Sequence, residues 1–128
     1  MEPSKVIVRF KDGTVIKGRT EDFFPNKAQF HLTTLDNHQE IIQVDSLKAI
    51  FYVKDYEGDE SHDYSYTDQI AGGGRKIKVE FSDGEEVVGY TQGYSPDRPG
   101  FFLAPADTKG NNERIFVVQS ATKKVQFL

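Results

Sequence analysis

The sequence contains no cysteine, which excludes disulfide bonds, thiolate metal sites and a cysteine nucleophile. No apolar run approaches the roughly 18–20 residues that a membrane-spanning helix needs. The first residues, MEPSK, lack the basic and then apolar layout of a signal peptide. We therefore expect a cytoplasmic protein without a membrane partner. Long helical periodicity of apolar residues is also missing, so we expect an all-β fold.

The residue patterns of catalytic and metal sites are also missing. The three histidines, His31, His38 and His62, fall in different predicted segments, and none has a neighbour at ligand spacing. Asp63 and Asp68 lie among other acids, but without the loop spacing of a calcium site. The sequence thus predicts no catalytic residues, no metal and no cofactor, and we expect that the protein is not an enzyme.

The charge is distributed unevenly along the 128 residues, which carry a formal net charge of −4. Residues 1–53 carry seven basic and seven acidic side chains, and so do residues 76–128. Residues 54–75 carry six acids against two bases, so the whole acidic excess lies there. A pI near 5.3 argues against broad nucleic-acid binding, which relies on phosphate neutralisation by lysine and arginine.

One stretch of the sequence occurs twice. Residues 5–20 read KVIVRFKDGTVIKGRT, and residues 76–91 read KIKVEFSDGEEVVGYT. An offset of 71 keeps the two copies in register over 32 positions, of which 11 are identical. Unrelated segments of average composition would share roughly two. The sequence therefore predicts an internal duplication, with a first copy over 1–56, an acidic linker over 57–74 and a second copy over 75–128.

Each copy has the pattern of five short strands. Alternating apolar residues over 5–11 indicate a half-buried strand, and Asp12-Gly13 predicts a hairpin turn. Phe10 and Ile16 both belong to the predicted inner face, which requires an odd-numbered loop between them. Gly18, inside the next strand, is typical of a bend in a small barrel. Residues 47–53, LKAIFYV, are apolar on both faces, which predicts cover on both sides.

This pattern resembles the small β-barrel of Sm-like proteins. The residues that carry the resemblance occur in both copies: Phe10, Asp12, Gly13 and Gly18, and again Phe81, Asp83, Gly84 and Gly89. The resemblance implies two tandem five-stranded barrels. It does not imply RNA binding, because the family's arginine-glycine pair in the turn between the fourth and fifth strands is replaced by Asp45-Ser46 and Gln119-Ser120.

A second resemblance concerns the phrases AIFYVKDYEG and FFLAPADTKGNNERIFV. They are similar to an uncharacterised bacterial family with this two-copy layout. That resemblance implies a bacterial origin and no known activity.

Two surfaces are candidates for binding. The outer face of the first hairpin carries four cations that could hold an anion or a nucleic-acid phosphate, with a solvated face as the simpler interpretation: Arg9, Lys11, Lys17 and Arg19. Phe51, Val53 and Phe102 point away from the predicted barrel interiors, which is typical of an interface. That interface could join the two copies, bind another protein or form a homodimer.

These patterns favour a non-catalytic protein-interaction or scaffolding module with an unidentified protein partner. The alternative is an RNA- or oligonucleotide-binding module that uses the basic face of the first hairpin, although the acidic pI disfavours it. An enzyme ranks third because no residues present themselves as its catalytic groups.

Overall fold

The fold is all-β and consists of ten antiparallel strands. The computed structural model describes residues 3–58, 67–70 and 73–128. In this part of the chain there is no α-helix, and two 3-10 turns, Val44–Ser46 and Gln119–Ala121, each precede a strand. The strands are β1 (Ser4–Phe10), β2 (Val15–Thr20), β3 (Gln29–Thr34), β4 (Gln39–Gln43), β5 (Leu47–Val53), β6 (Arg75–Phe81), β7 (Glu86–Thr91), β8 (Gly100–Pro105), β9 (Asn112–Val118) and β10 (Thr122–Phe127).

The ten strands form one sheet in the order β10-β6-β7-β8-β9-β5-β1-β2-β3-β4. This sheet is not closed into a barrel, so it differs from the two separate barrels that the sequence predicts. The reason lies in β5, which pairs with β1 on one side and with β9 on the other. Because β5 is occupied by β9, β4 has no second strand neighbour in the described chain, and the sheet ends at β4 and β10.

The strand pairings of residues 4–53, here called the first half, recur in residues 75–128, the second half. The pair Val6–Gly18 recurs as Ile77–Gly89, at an offset of 71. After the longer β8–β9 loop the offset becomes 75 for the later strands. The pair Phe30–Ile42, for example, recurs as Phe101–Val117. Each residue of the first half therefore has a structural counterpart in the second half, which contains four additional residues in the β8–β9 loop.

Two hydrophobic cores lie on opposite faces of this bent sheet, and each core contains residues from both halves. Ile7 and Phe51 of the first half pack into the core of the second half. Phe116 and Val118 of the second half pack into the core of the first. All seven residues of β5 are buried, which confirms the prediction that this strand is covered on both faces.

The central glycines of β2 and β7 allow the neighbouring strands to approach closely. A Cβ atom at Gly18 would lie 2.3 Å from the carbonyl oxygen of Thr33, and one at Gly89 would lie 2.3 Å from that of Ala104. The β2–β3 and β7–β8 ladders contain only two residue pairs each. Beyond these pairs the strands separate, and each half has a cleft at this place.

The described residues between β5 and β6 contact both halves of the sheet. The Tyr56 hydroxyl donates a hydrogen bond to the carbonyl of Gly18, 2.7 Å away. The Asp68 carboxylate accepts hydrogen bonds from the backbone and the hydroxyl of Thr108 at 2.8 and 2.9 Å. Residues 59–66 and 71–72, and with them His62 and Asp63, lie outside the described residues. The described chain includes no helix with the length and apolar character to cross a membrane.

Candidate functional site

The basic residues of the first hairpin lie mainly on one face. Lys17 pairs with Ile7, and Arg19 pairs with Lys5. Opposed residues in an antiparallel pair share a face, and Arg9 shares the face of Ile7 because it lies two residues further along the strand. Lys5, Arg9, Lys17 and Arg19 are all exposed. The backbone of Phe10 donates to Thr14 across a three-residue loop, so the predicted odd-numbered loop is present.

Lys11, the fourth predicted cation, turns away from this face. Its ammonium group donates hydrogen bonds to the carbonyl of Asp45 at 2.7 Å and to the hydroxyl of Ser120 at 2.6 Å. It therefore connects the first half to the second. Among the residues that the structure describes, Arg9 and Lys17 have no ion-pair partner, and Arg9 lies 5.5 Å from the ring of Phe51.

The three predicted interface residues lie between the halves. Phe51 and Val53 are 5% and 3% exposed and belong to the core of the second half. Phe102 is half-buried against the core of the first half, with its ring 5.2 Å from that of Phe116. The contact between the halves thus occupies most of this apolar surface, but one side of Phe102 lines a groove.

This groove has a volume of about 610 Å³ and lies on the outer face of β7, β8 and β9. Tyr90, Phe102 and Ala104 form its floor, and Pro25 and Asn26 of the first half form one wall. Of the residues that the structure describes, two charged ones line the groove: Arg98, from the β7–β8 loop, and Arg114, from β9. A protein of net charge −4 therefore has an apolar groove with two positive charges.

Aromatic rings hold Arg114 in place. Its guanidinium lies 4.2 Å from the ring centroid of Tyr52 and 4.6 Å from that of Phe102. Guanidinium groups stack favourably on aromatic faces, so this side chain is oriented before any ligand arrives. Burial raises the pKa of Tyr52, while the charge of Arg114 acts in the opposite direction. Tyr52 therefore stays a neutral support for the arginine at physiological pH.

The first half has a cleft at the corresponding place, with a volume of about 470 Å³. Seven of its lining residues are the counterparts of residues that line the groove. In chain order they are Arg19, Thr20, Glu21, Asp22, His31, Thr33 and Gln39, which correspond to Tyr90, Thr91, Gln92, Gly93, Phe102, Ala104 and Arg114. The two sites therefore share a position in the fold but differ in chemistry, since the first is polar and the second is mainly apolar.

Asp22 binds both the backbone and the side chain of His31 in the first cleft. Its Oδ1 atom accepts a hydrogen bond from the backbone N–H of His31 at 2.9 Å, and its Oδ2 atom lies 2.7 Å from Nδ1 of the same residue. Burial acts to raise the pKa of the Asp22 carboxyl, but the hydrogen bonds from His31 outweigh burial and hold this pKa below its usual value. The carboxylate is thus ionised near neutral pH, and the first cleft has its own internal anion.

The sequence interpretation missed the groove, because it arises from contact between the halves. Pro25 and Asn26 reach the outer face of the second half only after β5 and β9 have paired. A signal was nevertheless available in the aligned copies, where His31 is replaced by Phe102 and Gln39 by Arg114. A phenylalanine and an arginine at these two positions of the outer face distinguish the surface of the second half from the corresponding surface of the first half.

No cluster of three or more His, Cys, Asp or Glu side chains suited to a metal ion occurs among residues 3–58, 67–70 and 73–128. Comparison with curated proteins and with solved structures gives no match. One family model matches residues 2–128, almost the whole chain. The protein therefore belongs to this family, which is described as a family of unknown function, DUF6982.

Proposed function

We propose that the protein is a non-catalytic protein-interaction module that holds an extended segment of a partner protein in the groove of the second half. The observation that carries the proposal is the composition of this groove: half-buried aromatic and small apolar side chains with two arginines at the margin. Concave apolar sites with a few placed polar groups are the usual form of a binding site.

The size and shape of the groove favour a peptide segment as the ligand. A volume of about 610 Å³ accommodates a few side chains, and the groove is open along the sheet surface. Tyrosine, phenylalanine and arginine are enriched where protein partners bind, because they combine large apolar area with directed polar contacts. Nucleic acid generally needs a row of cations along its backbone, whereas this groove has two.

We also infer that the two halves descend from a duplicated small barrel similar to those of Sm-like proteins. The recurrence of the strand pairings of the first half in the second half, at an offset of 71 before the β8–β9 loop and 75 after it, supports this origin. In this view, pairing between β5 and β9 joined two units into one sheet and created the groove at their boundary.

A selection experiment with displayed peptides tests the proposed function. The wild-type chain should enrich a set of related peptide sequences, and an Ala104→Arg variant should not, since its longer side chain would fill the groove. Ala104 is half-buried on the outer face, so the variant should retain its fold, which a thermal melt would verify. Equal enrichment by both proteins would place any binding outside the groove, and no enrichment by the wild type would contradict the proposal.

The second candidate function is oligonucleotide binding, and the basic face of Lys5, Arg9, Lys17 and Arg19 is the observation that favours it. Retention on a heparin column at low salt, lost at moderate salt, would support this function. The matched variant is Arg9→Ser/Lys17→Ser/Arg19→Ser, which leaves the groove intact. If this variant loses retention and the wild type selects no peptides, the second function replaces the first.

A further inference from the structure

Gly93 leaves the groove without the carboxylate that its counterpart supplies in the first half. Asp22 caps the backbone N–H of His31 in the first cleft. The corresponding residues of the second half are Gly93 and Phe102. Because glycine has no side chain, no atom of Gly93 occupies the place of the Asp22 carboxylate.

The backbone N–H of Phe102 is directed toward this vacant place. The N–H of Ala106 donates to Val88 of β7, and backbone N–H groups alternate between the two sides of a strand. The N–H of Phe102 therefore also points to the β7 side. The carbonyl of Phe102 points the same way, since it accepts the hydroxyl of Thr91 at 2.8 Å. Among the described residues, the Phe102 N–H has no acceptor.

A cation lies beside the same place. A Cβ atom added at Gly93 would lie 3.8 Å from a guanidinium nitrogen of Arg98, and apart from its chain neighbours no described residue has a closer atom. A ligand carboxylate at the position that corresponds to the Asp22 carboxylate would thus lie close enough to Arg98 to form an ion pair. Arg114, stacked on the ring of Phe102, supplies a second positive charge on the same floor.

From this vacancy we propose that the groove recognises an aspartate or glutamate side chain of the partner segment, and this inference rests on the proposed function. The ligand carboxylate takes the place of the missing Asp22 counterpart. It accepts the N–H of Phe102 and pairs with Arg98, while an apolar neighbour of the acidic residue packs on the floor beside Arg114. The first half carries its own anion, and the second half takes one from its partner.

We assign the carboxylate to a side chain, because the groove is lined by residues of three strands, β7, β8 and β9, and its volume of about 610 Å³ accommodates neighbouring residues of the same segment. An acidic residue within the partner segment would bind the backbone N–H of Phe102 and the guanidinium of Arg98, as Asp22 binds the backbone N–H and the imidazole of His31. A phosphate chain would instead place further charges along a surface that offers two cations.

The test is a titration of the ¹⁵N-labelled 128-residue chain, monitored at the Phe102 amide by NMR. The probe is acetyl-Tyr-Asp-Phe-amide, and its matched control is acetyl-Tyr-Asn-Phe-amide. We expect the aspartate probe to move the Phe102 amide proton downfield as the N–H gains an anionic acceptor. The asparagine probe should bind at least about tenfold more weakly, because a hydrogen bond to a charged group is the stronger one.

Two variants of Gly93 make the test specific. Gly93→Asp should place its own carboxylate on the Phe102 N–H, so this amide should resonate downfield without ligand and the probe should no longer bind. Gly93→Ala adds the Cβ atom without the carboxylate and should keep wild-type affinity within about twofold. The space at Gly93 accommodates both changes. Arg98→Gln should weaken the aspartate probe about tenfold and leave the asparagine probe unchanged.

The outcomes separate this inference from the proposed function. If both probes shift the groove amides equally, or if Gly93→Asp binds as well as the wild type, the carboxylate inference is wrong while peptide binding in the groove stands. Tighter binding of acetyl-Tyr-Asn-Phe with a free C-terminus would overturn the side-chain source. A response to a uridine hexanucleotide but to neither peptide would overturn both the inference and the proposed function. No response to the aspartate probe at millimolar concentration would also overturn the inference.

Discussion

Strands β5 and β9 join the two halves, and their counterparts, β10 and β4, form the two free edges of the sheet. Because β10 corresponds to β5 and β4 corresponds to β9, the backbone of β10 in one molecule has the register to pair with β4 of a second molecule. The side chains differ, however. The residues of β5 that pack into the other half are buried and apolar, whereas their counterparts on β10 are exposed and mostly polar: Ala49, Phe51 and Val53 against Lys124, Gln126 and Leu128.

The partner strand shows the same difference in part. Val118 is buried in the contact, and its counterpart on β4 is the exposed Gln43. Phe116 is likewise fully buried, but its counterpart Ile41 remains apolar and is 58% exposed. Corresponding strands thus lie at the contact and at the edges, and the differences in their side chains distinguish the paired strands from the unpaired ones. Charged residues on an edge, lysines above all, are a recognised barrier to further pairing.

The largest expected effect comes from breaking the internal contact. Phe51→Ala should lower the free energy of unfolding by about 2–4 kcal/mol, because it removes a ring from the core of the second half and leaves a cavity. Urea unfolding should show a single transition in both proteins. The matched control is Gln126→Ala at the counterpart position on β10, which should change stability by less than about 0.5 kcal/mol. Two separate transitions, or equal effects of the two substitutions, would show that the halves fold independently.

The second prediction is that two substitutions on the edge strand β10 allow it to pair with β4 of another molecule. Lys124→Ala/Gln126→Phe gives β10 the residues that β5 has at the counterpart positions, and Ile41 is available on β4 of a second molecule. We expect concentration-dependent association with at least a doubled mass in sedimentation, where the wild type remains a monomer. Adding Ile41→Lys to the double variant should restore the monomer. Association that survives this third change would mean that the new surface pairs elsewhere.

The smallest expected effect concerns an ion pair at the contact. Lys48 of β5 is buried and pairs with Asp83 at 2.7 Å and also with Glu85, both in the β6–β7 turn. The hydrogen bond from Lys48 is the main cause that lowers the pKa of Asp83. Because both carboxylates are about half exposed, Lys48→Met should cost about 1 kcal/mol or less at pH 7.

The effect of Lys48→Met should depend on pH. A carboxyl whose pKa is lowered by folding adds stability above its unfolded value, near 4, and this stability is lost as the pH falls through the folded pKa. The difference between the wild type and the variant should therefore shrink between about pH 5 and pH 2, as followed by urea unfolding. Lys123→Met, at the counterpart position, should show a smaller difference, because Lys123 is exposed and its ion pair with Glu80 is longer, at 3.5 Å. A constant difference at all pH values would assign the effect of Lys48 to packing against the ring of Phe81.

Local features of the fold follow from the sequence. Alternation of apolar residues located the ten strands, and Asp12-Gly13 located a turn in which Gly13 has a φ of 93°. The apolar residues on both faces of β5 also indicated cover on two sides. These features depend on neighbours close in sequence, where residue preferences act directly.

The pairing between β5 and β9 could not be derived in the same way. Strand edges pair through backbone groups, which are the same for every residue and leave little trace in the sequence. The groove depends on that pairing, and so it was missed. The sequence shows that Gly93 stands where the first half has Asp22. It does not show that the N–H of Phe102 points toward the space left by the missing carboxylate, which is known only from the structure. The proposed duplication, the basic face and the function stay predictions.

The pairing of β5 with β1 on one side and with the much later strand β9 on the other also has a consequence for biosynthesis. When Val53 leaves the ribosome, the strand that will cover β5 has not been made, because β9 ends at Val118. At roughly 5–20 residues per second, the chain needs on the order of 3–13 s to supply it. During this time β5 presents a bare backbone edge flanked by Phe51 and Val53. The nascent first half is thus open to pairing with other strands until β9 has been made.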